Sequence, residues 1–210
     1  MSDSVHSEIY KGRMIVIAHD SDTMDPRAEN DNATTMVCHH GRYSLGDKHD
    51  HGNSPIVAIN SVIESLTGEN PDCDTFADVY DALNDSPCFY RMLYLYDHSG
   101  ITISTSPFSC PWDSGTVGFV FISYADAKKN FNWSDESFVP NDEQLKLVHE
   151  LIEAEVAEYD NYLRGECYGY KVYESENENE NELEEACWGF LGDYNYCLGE
   201  AKGLVDAIVG

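Results

Sequence analysis

Two short stretches place an acid, a base and a nucleophile within a few residues of one another. Asp97-His98-Ser99-Gly100 is the first, and Cys110-Pro111-Trp112-Asp113-Ser114-Gly115 is the second. In a hydrolase, His98 would act as base and Ser99, Ser114 or Cys110 as nucleophile, with Asp97 or Asp113 orienting the imidazole. The surroundings of Ser114, WDSGT, lack the Gly-x-Ser-x-Gly elbow of α/β-hydrolases. The same segments are also turn sequences, in which Asp and Ser cap the backbone and Gly supplies positive φ. The turn reading takes precedence.

A second group, Cys38, His39, His40, His49 and His51, is rich in transition-metal ligand types. Its spacing fits no zinc-finger pattern, and His49-Asp50-His51 serves a polar loop equally well. The chain has no Gly-rich phosphate loop, no His-Glu-x-x-His helix and no dinucleotide fingerprint, so no cofactor is expected. Tyr94, Tyr96, Trp112, Phe119, Phe121, Trp188 and Phe190 alternate along strand-like segments, as packing residues do.

Charge is the third feature. The 210 residues carry 12 Lys and Arg against 39 Asp and Glu, a formal net charge of −27. Such a chain repels phosphates and anionic lipid, which argues against direct nucleic-acid or membrane binding and for a basic partner. Residues 135–210 hold 20 acids and 4 bases, a net of −16. Much of that lies between Pro140 and Gly165. There Leu145, Val148, Ile152, Val156, Tyr159 and Leu163 recur at helical spacing and predict one long amphipathic helix over about 141–164. Its other faces carry Asp142, Glu143, Glu150, Glu153, Glu155, Glu158 and Asp160. At ~1.5 Å rise per residue these carboxylates span about 27 Å, roughly one per 4 Å. A DNA strand places a phosphate about every 3.4 Å. A second acidic run, Glu174–Glu185 (ESENENENELEE), reads as a mobile loop or long hairpin tip.

Arg13–His19, Tyr90–Tyr96, Ile101–Ser104, Val117–Ile122, Tyr168–Tyr173 and Ala186–Leu191 read as strands. Pro55–Leu66, Thr75–Leu83, Ala125–Phe131 and Glu200–Ile208 join the long helix as helices, and His19–Gly52 is polar and turn-rich. The expected fold is therefore α+β, one domain over 1–210 with a mixed or antiparallel sheet of about six strands. Seven cysteines, with no Cys-x-x-Cys pair, and the absence of a signal-like N-terminus predict an intracellular protein with reduced thiols.

DPRAENDN (25–32), CHHGRYSLGDKH (38–49), LYLYDHSGITISTSPFSCPWDSGTVGFVFIS (93–123), YDNYLRGECYGY (159–170) and CWGF (187–190) occur in one order. Across roughly residues 20–192 the series resembles a family of proteins carried by bacteriophages and other mobile elements. That resemblance implies a setting. Accessory proteins of mobile elements often act as anti-CRISPR or antirestriction factors, and acidic ones often imitate DNA. The run ESENENENELEE looks like an elaboration of this member, which turns attention to the long helix. The expectation is a non-catalytic, DNA-mimicking inhibitor in the host cytoplasm, with a basic nucleic-acid-binding protein of a host defence system as partner. A second copy of the chain is left open as a further partner. The alternative is a small hydrolase or metal-dependent protein built on Asp97, His98, Ser99, Asp113 and Ser114.

Overall fold

A computed structural model of the protein describes residues 4–134, 140–174 and 183–210. In chain order its elements are β1 (Ser4–Tyr10), β2 (Arg13–His19), α1 (Pro26–Glu29), β3 (Thr35–Cys38), α2 (Pro55–Thr67), α3 (Phe76–Asn84) and β4 (Cys88–Asp97). There follow β5 (Ile101–Ser104), β6 (Ser114–Ser123), α4 (Tyr124–Phe131), α5 (Asp142–Leu163), β7 (Cys167–Tyr173), β8 (Leu183–Leu191) and α6 (Tyr194–Val209). Every strand pairing is antiparallel, in two four-stranded sheets ordered β1-β2-β7-β8 and β3-β6-β4-β5. The class is α+β as expected. The strand count is corrected: among the described residues, eight strands in two sheets replace about six in one. The chain forms two compact units, Met1–Pro26 with Glu158–Gly210, and Arg27–Ala157; the division falls within α5.

In the first unit, Ile15 and Ile17 of β2 and Val172 of β7 pack against Cys197, Ala201 and Val205 of α6. The strand β1 escapes the sequence pattern because it is an edge strand with Val5 and Ile9 exposed. Its turn to β2 uses Lys11 and Gly12, both at positive φ, as a two-residue hairpin demands. The last helix begins at Tyr194, six residues before the expected Glu200, because the Asp193 carboxylate accepts from the Asn195 amide and caps it. Ion pairs Lys202–Glu8 and Lys11–Asp206, each 2.9 Å, tie α6 to the β1–β2 hairpin. Of the acidic run expected as a loop over 174–185, residues 175–182 lie outside the described residues. Its end, Leu183–Glu185, belongs to β8, where Arg13 donates to Glu184 over 2.8 Å.

In the second unit, α2 and α3 cover one face of the sheet. Ile59, Val62, Val79 and Leu83 pack with Val37, Met92 and Phe119. Ser54 caps α2, and Thr75 and Asp78 form a capping box at α3. The short β3 lies inside the polar stretch His19–Gly52, yet Met36 and Val37 are fully buried. Gly118 admits it to the sheet, since a Cβ there would stand 1.9 Å from the Val37 carbonyl oxygen. The long helix begins at Asp142, after Asn141 and Gln144 exchange side-chain-to-amide hydrogen bonds of 2.9 and 3.0 Å. Its stripe is as expected: Val148, Ile152, Val156 and Tyr159 are buried and Leu145 and Leu163 half-buried. Among the described residues no helix is long and apolar enough to cross a membrane.

Candidate functional site

The seven helix carboxylates do not form one free face. At 100° per residue, Asp142, Glu143, Glu150, Glu153 and Asp160 fall on one side, while Glu155 falls at the margin of the apolar stripe. Asp142, Glu143, Glu150 and Glu153 are exposed, but Glu155, Glu158 and Asp160 are half-buried. Several are also engaged. Lys146 lies 3.6 Å from Glu150 and Arg164 3.6 Å from Asp160, and Thr105 Oγ1 donates to both oxygens of Glu153.

Glu155 has the most specific partner. Arg27, whose side chain is 1% exposed, donates to Glu155 Oε2 at 2.9 Å and to both oxygens of Asp47 at 2.8 Å. It also donates to the carbonyl of Thr34 at 2.7 Å. Glu155 in turn accepts from the amides of Ala33 and Thr34 and from the Thr34 hydroxyl, and Asp47 accepts from the Met36 amide. Burial alone would lower the Arg27 pKa, but hydrogen bonds and charge from Asp47 and Glu155 more than offset it and hold Arg27 above its ordinary value. Glu155 is thus an internal counter-ion, and it leaves the proposed mimic face.

A different acidic surface emerges. Glu64, Glu69, Asp72, Asp74, Asp78, Asp81 and Asp85 are all exposed along α2, α3 and the connection between them. Between Lys48 and Arg91 the chain has no Lys or Arg. Among the described residues no ion pair reaches any of these seven. The sequence carried this signal as a cation-free stretch, which is easily overlooked where total charge draws the eye to residues 135–210.

The two acid–base–nucleophile segments meet at one end of β4 and β6. The register pairs Tyr96 with Ser114, so the next facing positions are Asp97 and Asp113, joined by a 2.9 Å bond from the Asp97 amide to the Asp113 carbonyl. His98 Nδ1 lies 3.3 Å from Asp113 Oδ2, and the Cys110 thiol 3.7 Å from the same oxygen. The Ser114 hydroxyl is turned to the Cys110 carbonyl, and Ser99 occupies the β4–β5 turn at φ 58°. Asp113 therefore stands between His98 and Cys110, where nucleophilic catalysis needs the imidazole between nucleophile and acid. Asp97 is held by Arg42, with His40 Nε2 at 4.0 Å. Sequence reading separated Arg42 and His40 from this pair because they reach it from the other motif.

That motif returns on β3. Gly46 bridges to Val37 at φ 69°, where a Cβ would meet the Met36 carbonyl at 2.6 Å. His49 Nε2 bonds the Cys38 carbonyl at 3.0 Å, and His51 bonds the Ser61 hydroxyl at 3.1 Å. The His39 and His49 rings meet edge to face at 4.8 Å. Burial, reinforced by His49 and His51, lowers the His39 pKa. Burial, with Asp47 nearby, pushes the Cys38 thiol up to about 12, so it stays protonated and is a poor metal ligand or nucleophile. Among the described residues, no three His, Cys, Asp or Glu side chains come together to hold a metal ion. Two cavities adjoin here and share His39 and His40. One, of about 550 Å³, opens between residues 38–49 and the start of α2; the other, of about 370 Å³, lies between the His segment and the Asp97–Asp113 end of the sheet.

Comparison with protein-family models, curated proteins and solved structures returns no match for the chain.

Proposed function

We propose that this chain is a counter-defence inhibitor of a mobile element, presenting carboxylates to the nucleic-acid-binding groove of a host CRISPR effector or restriction enzyme. The observation that carries the reading is the exposed, cation-free acidic surface of Glu64–Asp85. Packing of Val62, Ile63, Val79 and Leu83 into the core holds that surface on a rigid pair of helices. The exposed acids at the start of α5 add to it. Such a surface pairs with the Arg and Lys that hold phosphates, so inhibition is competitive, fast to form and weakened by salt. The inhibitor acts in the host cell without catalysis.

The test is displacement of a fluorescent DNA duplex from a panel of purified effectors and restriction enzymes at low and moderate salt. The expected result is displacement from at least one of them, falling steeply with salt. The variant D72N/D74N/D81N/D85N should weaken it by about tenfold or more, as loss of several charge pairs implies. Asn suits position 72, which sits at φ 53°. If every enzyme of the panel holds DNA equally well under saturating protein, the reading fails.

A further inference from the structure

The geometry points to the cleft at the Asp97–Asp113 end of the sheet as an anchor site for an arginine side chain of a basic partner. This inference rests on the inhibitor reading above for its partner and adds where that partner is gripped.

The first observation is the register. Two carboxylates at facing positions of an antiparallel pair repel, and like charges there are destabilising. Asp97 and Asp113 occupy such positions; Arg42 pairs with Asp97, and the His98 imidazole lies 3.3 Å from Asp113. Both counter-groups are loosely held, with 69% and 62% of their side chains exposed. An ion pair as exposed as that of Arg42 is weak and exchanges readily.

The second observation is Trp112. It lines the same cleft beside Asp113 and is 91% exposed, an extreme value for a large aromatic. A tryptophan in water next to a carboxylate pair suits a guanidinium, which stacks on the ring while its fork pairs with an oxygen edge. Tryptophan and arginine are also the residues that most often dominate binding energy. The internal Arg42 already shows the pattern: its guanidinium lies 5.5 Å from the Tyr43 ring centre while bonded to Asp97. At about 370 Å³ the cleft has room for one such side chain. The surrounding charge of −27 draws cations to its mouth.

The test uses the full chain with W133F and W188F, leaving Trp112 as the reporter among three tryptophans. It is titrated with a short glycine–arginine peptide and with its glycine–lysine counterpart. Saturable change in Trp112 emission is expected, with the arginine peptide about tenfold tighter. D97N/D113N should abolish the preference for arginine, and R42A should tighten binding severalfold by removing the internal competitor. Equal binding of both peptides, unchanged in D97N/D113N, would overturn the proposal as mere attraction to an acidic surface. The two readings separate in the DNA-displacement assay. A protein that binds the arginine peptide at Trp112 but displaces no DNA sinks the inhibitor reading and leaves the cleft standing. One that displaces DNA equally well as W112A does the reverse.

Discussion

At the scale of single residues, an acidic side chain has two opposite uses in this protein, and only its surroundings tell them apart. Glu143 and Glu155 stand on the same helix, yet Glu143 faces water while Glu155 closes a buried network on Arg27. Substitution E155Q should destabilise the fold by on the order of 3 kcal/mol in urea, because it leaves a buried guanidinium short of a counter-charge. The exposed E143Q should move stability by no more than about 0.5 kcal/mol. Equal effects would show that Asp47 alone satisfies Arg27. The exposure of Glu143 was legible in the helical pattern, but the role of Glu155 was not. The partners of Glu155 lie more than 120 positions away in sequence, and its helical angle, at the stripe's margin, was the one available hint. The Arg42–Asp97 pair was hidden for the same reason: its two members belong to motifs separated by α2 and α3.

At the scale of elements, periodicity revealed whatever buries a regular stripe. The helix α5, the pair α2–α3 and the central strands β2, β4 and β6 were visible because their apolar residues recur at 3.6 or run continuously. The strands β1 and β3 were not. One is an exposed edge, and the other is four residues in a polar stretch whose burial depends on Gly118 across the sheet. The edge strand carries its own prediction. Glu8 on β1 lies below its ordinary value of 4.5, chiefly through the hydrogen bond from Lys202 on α6. Because the folded-state pKa is depressed, the stabilisation is present above pH 4.5 and disappears as pH falls through the lower folded value. E8Q should therefore lower the urea midpoint at pH 7, with the difference from the parent protein closing as pH falls through and below the depressed folded value. A difference that does not shrink on acidification would mean that the Glu8 side chain acts through packing.

For the whole molecule, the net charge makes salt act in opposite directions on folding and on binding. Screening relieves self-repulsion in the folded chain, so the thermal midpoint should rise between about 10 mM and about 300 mM salt. Over the same range, the proposed displacement of DNA from a host enzyme should weaken. A midpoint that falls with salt would show that the internal ion pairs, such as Lys202–Glu8, outweigh the unpaired acids of Glu64–Asp85.

The nesting of the two units has a consequence for synthesis. The hairpin β1–β2 is synthesised before β7 (Cys167–Tyr173), the neighbour that covers the open side of Arg13–His19. Until β7 is made, Ile15, Val16 and Ile17 lack the strand partner that they have in the folded chain. The nascent chain thus carries an open strand edge over the roughly 150 residues that separate β2 from β7.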